Sequence, residues 1–127
     1  MNQQNPFADI SEETQKKIQE MQILEQSFQQ LMMQKQAFNL EANETNHALE
    51  ELKKAQGDVF KIVGGSIVIK SDKKTLQEEL EHKKELIDLR LKTMSKQEGE
   101  FTEKLESLKE EVMKEISKKQ EPKEKKK

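Results

Sequence analysis

The segment at residues 59–70 most constrains this chain, because it predicts a β-hairpin between two long helical heptad runs. Two short apolar runs, residues 59–63 and 66–70, flank Gly64 and Gly65. A two-residue Gly-Gly loop favours the type I′ turn, whose twist matches that of paired strands. No other segment of the sequence is strand-like, so the hairpin has no third strand from its own chain.

Strand pairing across this turn places Ile62 opposite Ile67 and Phe60 opposite Ile69. Successive side chains on a strand point to opposite faces, so these four residues are expected to share one apolar face. A sheet of two strands is only marginally stable in water. We therefore expect other subunits to cover the hairpin's open edges and apolar face.

Heptad patterns on both sides of the hairpin predict two helices that pack as a coiled coil. The first pattern runs from about residue 11 to residue 55. The second helix begins either near Asp72 or at the capping box Thr75-x-x-Glu78. The predicted seam positions are Met21, Leu24, Phe28, Leu31, Lys35, Phe38, Ala42, Thr45, Leu49 and Leu52, then Leu80, Lys84, Ile87, Leu91, Met94, Glu98, Phe101, Leu105, Leu108 and Val112.

An antiparallel arrangement about the two glycines places Phe38 opposite Leu91. The charged seam residues Lys35 and Glu98 either extend into solvent or form a pair that fixes the register. The predicted fold is mainly α, a long antiparallel two-helix coiled coil joined by a single β-hairpin. The predicted segments are a flexible N-terminus at 1–10, helix 11–56, hairpin 57–71, helix 72–116 and a disordered Lys-rich tail at 117–127.

Composition excludes several classes of protein. Of the 127 residues 38% are charged and only 31% hydrophobic, too few apolar residues for an ordinary globular core. Cysteine is absent, and no apolar stretch approaches the roughly twenty residues that cross a bilayer. We expect a cytoplasmic protein with no membrane association. The Lys-rich tail lacks aromatic residues for stacking on bases, so we expect no nucleic-acid binding.

No set of a serine, a histidine and a carboxylate has plausible proximity for catalysis in this sequence. His47 and His82 both occur in Glu-x-x-His contexts, a spacing found in metal-binding bundles. The heptad assignment places both on the outward side of their helices, so their rings diverge and we expect no metal site. We expect neither a cofactor nor enzymatic activity.

Several apolar residues lie off the predicted seam. Leu76, Leu86 and Leu89 widen the apolar stripe near the hairpin, as expected where subunits crowd together. A second group lies near the chain ends and has no partner within a two-helix hairpin. This group is either a set of ordinary exposed hydrophobes or a surface that repacks against varied apolar partners. Its members are Ile18, Ile23, Met32, Met33 and Ile116.

Nearly the whole chain resembles the beta subunits of the archaeal prefoldin family. The resemblance is most specific at residues 59–64 in the hairpin and at the sequence Leu-Arg-Leu-Lys-Thr of residues 89–93. Ser71-Asp72-Lys73 and Lys96-Gln97-Glu98 also match. The resemblance implies a hexamer of two alpha and four beta subunits, whose hairpins join in a β-barrel body. It also implies that the coil ends hold unfolded polypeptides and pass them to a group II chaperonin.

The same resemblance implies two sets of functional residues. Assembly is expected at Val59, Phe60, Ile62, Val63, Ile67, Val68 and Ile69. Client binding is expected at Ile18, Met21, Ile23, Leu108, Val112 and Ile116.

Two functions from different classes fit these expectations. The first is an ATP-independent chaperone, a holdase that captures unfolded polypeptides by many weak apolar contacts. The second is a structural tether or adaptor that oligomerises through the hairpin and spaces folded partners. The tail is either a solubilising end or a docking strand for an acidic surface.

Overall fold

The computed structural model describes residues 10–120, with side chains described as far as Lys118. Helix α1 spans Glu12–Lys54, strand β1 Val59–Val63, strand β2 Ile67–Ser71 and helix α2 Lys73–Gln120. This order confirms the predicted fold class, because two long helices are joined by one two-stranded hairpin. The predicted flexible N-terminus and Lys-rich tail lie mostly outside the described residues.

The chain divides into two compact units. Among the described residues, the terminal unit comprises those up to Met32 and those from Lys96 onward. The hairpin unit comprises Met33–Ser95. Each unit contains a segment of both helices, and the hairpin unit also contains both strands.

The predicted heptad seam is confirmed along both helices. Leu31 and Val112 are buried in the terminal unit, and Leu49 and Ile87 are buried in the hairpin unit. The other predicted seam residues are all buried or half-buried. A heptad repeat keeps its apolar positions on one side of a helix, so the stripe is covered while the charged residues between its members stay in water.

Contacts between side chains of α1 and α2 occur inside each unit. In the hairpin unit, the Arg90 Cζ lies 5.5 Å from the ring centre of Phe38, within cation–π range. Arg90 is the neighbour of Leu91, the predicted partner of Phe38, so this contact supports the predicted antiparallel register. In the terminal unit, the Lys17 Nζ lies 3.0 Å from the Glu111 Oε1.

The hairpin register differs from the prediction by one residue. Ile62 pairs with Val68, so the predicted pairing of Ile62 with Ile67 is wrong. Ser66 follows the two glycines as an extra loop residue, and the ladder resumes only at Ile67. A shift of one residue moves every side chain of one strand to the opposite face. The observed pairs are Val59 with Ser71, Phe60 with Lys70, Lys61 with Ile69, Ile62 with Val68, and Val63 with Ile67.

The predicted turn chemistry is nevertheless present. Gly64 and Gly65 both have positive φ, 66° and 82°, as a type I′ turn requires. The Ser66 amide donates to the Val63 carbonyl at 3.4 Å, which closes this turn weakly. The two glycines were therefore identified correctly, and the error arose from the single residue after them.

Each helix begins at a side-chain cap. The Ser11 hydroxyl accepts a hydrogen bond from the Thr14 amide at 3.1 Å, and the Asp72 carboxylate accepts one from the Thr75 amide at 3.1 Å. Helix α2 thus starts at the Asp72 cap, and the alternative start at Thr75 is wrong. The hydrogen bonds from the Thr75 amide and hydroxyl to this carboxylate lower the pKa of Asp72.

Alanine at two glycine positions should change stability in opposite directions. Gly99 lies within α2, and a Cβ there would meet no atom within 4 Å, so Gly99→Ala should stabilise the chain by roughly 0.5–1 kcal/mol. Gly64→Ala should destabilise it by about 1–2 kcal/mol, because alanine resists positive φ. Urea unfolding of both variants beside the parent measures the difference. Equal effects would show that the turn conformation is misassigned.

Candidate interaction surfaces

The hairpin presents two chemically different faces. Cross-strand partners share a face, so the observed register separates the hairpin residues into two sets. We name the set Phe60, Ile62, Val68 and Lys70 the open face. We name the other set the helix face, which comprises Val59, Lys61, Val63, Ile67, Ile69 and Ser71.

The helix face is attached to its own chain. Val59 is buried, unlike the other residues predicted to mediate assembly. The Lys61 Nζ lies 3.3 Å from the Glu79 Oε1 in the second turn of α2. These two interactions hold the base of β1 against its own unit, and Val59 therefore presents little surface to another subunit.

The open face remains uncovered. Phe60 is 55% exposed, Ile62 68% and Val68 62%. Three adjacent apolar side chains exposed to this degree on a two-stranded sheet are unfavourable in an isolated chain. On the helix face, Val63, Ile67 and Ile69 are also exposed.

Lys73 connects the beginning of α2 to the end of α1. Its ammonium donates to the carbonyl of Lys53 at 3.3 Å and to the carbonyl of Ala55 at 3.1 Å. The last carbonyls of a helix lack intrahelical partners, and a lysine is a suitable donor for them.

Exposed leucines occur on the helices of the hairpin unit. Leu86 and Leu89 are exposed, whereas Leu76 is half-buried. Leu40 on α1 is also exposed, although the sequence analysis did not identify it. Its heptad position is the one farthest from the seam, and this signal could have identified it.

The predicted client-binding residues differ in accessibility. Ile23 is 63% exposed, whereas Ile18, Met21, Leu108 and Ile116 are half-buried. Val112 is buried in the seam. Ile23 is thus the most accessible of the six, and Val112 presents little surface to a client in this conformation.

Met113 was not identified from the sequence, although it is 58% exposed. It follows the seam residue Val112 and therefore points away from the seam. It lines two shallow grooves on α2, together with Glu110, which belongs to both. The signal that could have found it is its heptad position beside the seam.

A third groove in the terminal unit has an apolar floor. It is lined by Met21 and Phe28 of α1 and by Leu105 of α2, with a volume of about 280 Å³. Ligand pockets usually span roughly 300–1,000 Å³, so this groove suits a single side chain better than a large ligand. Its remaining lining residues are Glu25, Thr102, Glu106 and Lys109.

Ile10, Thr14 and Lys17 continue the seam at the beginning of the terminal unit. The hydrogen bond to the Glu111 carboxylate raises the pKa of Lys17. Ile10 and Thr14 are buried, although neither was predicted as a seam position. Together with Lys17 they continue the four-and-three spacing backwards from Met21, so the stripe extends to Ile10, which precedes the start of α1.

The two histidines and the acidic residues of the described chain do not gather into a metal-binding group. His47 and His82 are exposed. No group of three or more His, Cys, Asp or Glu residues in residues 10–120 is arranged to hold a metal ion. Neither α1 nor α2 has, over its described length, an apolar stretch able to cross a membrane.

Comparison with known proteins identifies relatives of similar length. The family model described as "Prefoldin subunit" matches residues 15–119. The prefoldin subunit beta of Pyrobaculum calidifontis is 41% identical over 92 residues, covering 71% of this chain and 73% of the relative. The prefoldin subunit beta of Sulfurisphaera tokodaii is 36% identical over 105 residues, covering 81% and 83%.

A solved structure has the same fold. The crystal structure of the prefoldin beta subunit from Thermococcus strain KS-1 matches with a TM-score of 0.79 and 28% sequence identity. The match covers 90% of this chain and 98% of that one. The family match, the identity to the beta subunits and the shared fold agree, and the chain belongs to the prefoldin family of chaperones, with archaeal prefoldin beta subunits as its relatives.

Proposed function

We propose that this chain is a subunit of an ATP-independent holdase in the cytoplasm. It captures unfolded polypeptides through the terminal unit and delivers them to a group II chaperonin. It acts within a hexamer of two alpha-type and four beta-type subunits joined through the hairpins. The observation that supports this proposal best is the exposure of apolar side chains at two separate places, the open face and the terminal unit.

The open face supports the assembly step. Burial of a large apolar side chain contributes about 1.5–3 kcal/mol, and Phe60, Ile62 and Val68 remain exposed in the single chain. A neighbouring hairpin would cover these side chains and satisfy the free strand edges. The alpha-type partner is inferred from the family to which the chain belongs.

The terminal unit supports the capture step. Ile23 and Met113 are exposed, and Met21, Leu105 and Phe28 form an accessible groove floor. Such contacts are individually weak and do not require a fixed partner sequence, and flexible methionines adapt to different apolar shapes. In the proposed function no bond is made or broken, and capture is reversible without nucleotide.

Light scattering by a diluted, denatured client tests the capture step. The assembled protein should suppress the scattering without nucleotide. The double variant Ile23→Ser and Met113→Ser should bind the client roughly tenfold more weakly, because two exposed apolar contacts are lost. Leu40→Ser is the matched control, since Leu40 is equally exposed but lies in the hairpin unit.

If the parent protein does not reduce the light scattering of the client, the holdase proposal is wrong. The tether alternative predicts binding of one folded partner and indifference to unfolded chains. A pull-down that compares native with denatured protein therefore separates the two functions. If Leu40→Ser reduces capture as much as the double variant does, the client surface is not in the terminal unit.

A further inference from the structure

The grooves of the terminal unit form a continuous strip along α2. The groove whose floor is Met21, Phe28 and Leu105 has Glu106 and Lys109 in common with the shallow groove that Glu103 and Met113 line. We name these two grooves the first groove and the second groove. The second groove ends at the exposed Met113. We name this surface the α2 strip. It consists of Met21, Phe28, Leu105, Glu103, Glu106, Lys109, Glu110 and Met113.

The α2 strip has apolar contacts at its ends and acidic residues between them. The carboxylates of Glu103, Glu106 and Glu110 line the second groove, against the single positive charge of Lys109. Along α2, Glu106 and Glu110 lie between Leu105 of the first groove and Met113, whereas Glu103 precedes Leu105. A ligand that follows the strip must therefore present apolar, charged and apolar groups in turn.

The charge of the terminal unit reinforces this local pattern. Residues 1–32 and 96–127 contain fourteen acidic residues and twelve lysines, a net charge of −2. The hairpin unit, residues 33–95, contains eleven acidic and eleven basic residues and is neutral. Excess negative charge attracts basic segments and repels acidic ones, so the two units differ in which polypeptides they favour.

We infer that the α2 strip binds unfolded segments in which two large apolar side chains flank a lysine or arginine. This inference rests on the proposed holdase function and specifies which client segments the terminal unit prefers. One apolar side chain occupies the groove over Phe28 and Leu105, and the other packs on Met113. The basic residue between them meets Glu106 and Glu110.

The spacing of the two apolar side chains follows from the helix rise. Leu105 and Met113 are eight residues apart on α2, or about 12 Å at 1.5 Å per residue. An extended polypeptide advances roughly 3.3 Å per residue, so about four residues span this distance. The preferred segment therefore has apolar residues at its first and fifth positions and a basic residue near its third.

Fluorescence anisotropy with short labelled peptides tests this inference on the full-length assembled protein. The probe peptide carries the core Leu-Ser-Lys-Ser-Leu within a Gly-Ser context. One comparison peptide replaces the lysine by glutamate, and another inserts four serines between the leucines. The lysine peptide should bind about fivefold more tightly than the glutamate peptide at low salt, with a smaller difference at high salt.

Variants of the protein assign this preference to the α2 strip. The double variant Glu106→Gln and Glu110→Gln should bind the lysine and glutamate peptides equally. Glu100→Gln is the matched control, because Glu100 is exposed on the same helix but lines neither groove of the strip. It should keep the preference. Met113→Ser should weaken the binding of both peptides and leave the preference for the lysine peptide unchanged.

Capture of a denatured client is measured in parallel, so the two proposals fail differently. Equal binding of the lysine and glutamate peptides by a protein that still captures the client overturns this inference and leaves the holdase function standing. A preference that survives the Glu106→Gln and Glu110→Gln changes also overturns it. Loss of client capture by the parent protein removes the holdase function itself.

Discussion

Replacing Phe60, Ile62 and Val68 with threonine is expected to convert the assembled protein into smaller species. These side chains are exposed on the open face of the hairpin, opposite to the helix face. Three large apolar groups contribute roughly 4.5–9 kcal/mol when buried, which corresponds to more than a thousandfold change in the dissociation constant. Threonine keeps the strand propensity, so the loss is specific to the interface.

Native mass spectrometry with an alpha-type subunit, over a range of concentrations, measures this effect. Circular dichroism shows whether the helices are retained. A triple variant with threonine at the exposed helix positions Ile23, Met33 and Leu40 is the matched control, because it removes the same number of exposed apolar groups from positions outside the hairpin. An unchanged native mass in the hairpin variant would exclude the open face as the main interface.

Substitution of Ile87 by alanine is expected to cause the largest loss of stability in the hairpin unit. Ile87 is 4% exposed in the seam, and truncation of a buried isoleucine costs about 2–5 kcal/mol. Total stabilities of natural domains are about 5–15 kcal/mol, so this is a large fraction. The midpoint of urea unfolding should fall accordingly.

Leu86→Ala is a control in the adjacent position. Leu86 is 50% exposed, so its truncation removes less buried area and leaves no closed cavity. We expect a loss below about 1 kcal/mol. If the two variants unfold at the same urea concentration, the seam assignment for α2 is wrong.

The helices and their seam were predictable because their signals are local and repeated. Heptad spacing identified positions such as Leu31, Leu49, Ile87 and Val112, and all of them are buried. The two glycines of the turn were also predictable, since few residues tolerate two successive positive φ values. Each of these signals lies within a few neighbouring residues.

The strand register was not predictable from the same signals. Both registers keep apolar residues on each face of the hairpin, so the pattern around Gly64 and Gly65 does not distinguish them. The observed pairing accommodates Ser66 in the loop and extends β2 to Ser71, next to the Asp72 cap. The two registers differ only in which β2 side chains share a face with Phe60 and Ile62, because Lys61 lies on the other face of β1 in both.

The candidate client surface was predicted in part. Ile23 is exposed as an interaction residue requires, whereas Val112 belongs to the seam and Met113 beside it is the exposed residue. The resemblance to the family predicts a binding region, and heptad position decides which side chain in that region faces solvent. The functional roles of all these residues remain predictions.

The amino-acid order alone determined that this chain forms helix, hairpin and helix with a heptad seam, because periodicity and turn chemistry act over a few residues. Only the tertiary structure decided that Val59 is covered while Phe60, Ile62 and Val68 are exposed. The reason is that the accessible face of a two-stranded hairpin is set by contacts with side chains remote in sequence. The ion pair of Lys61 with Glu79, eighteen residues apart, is one such contact.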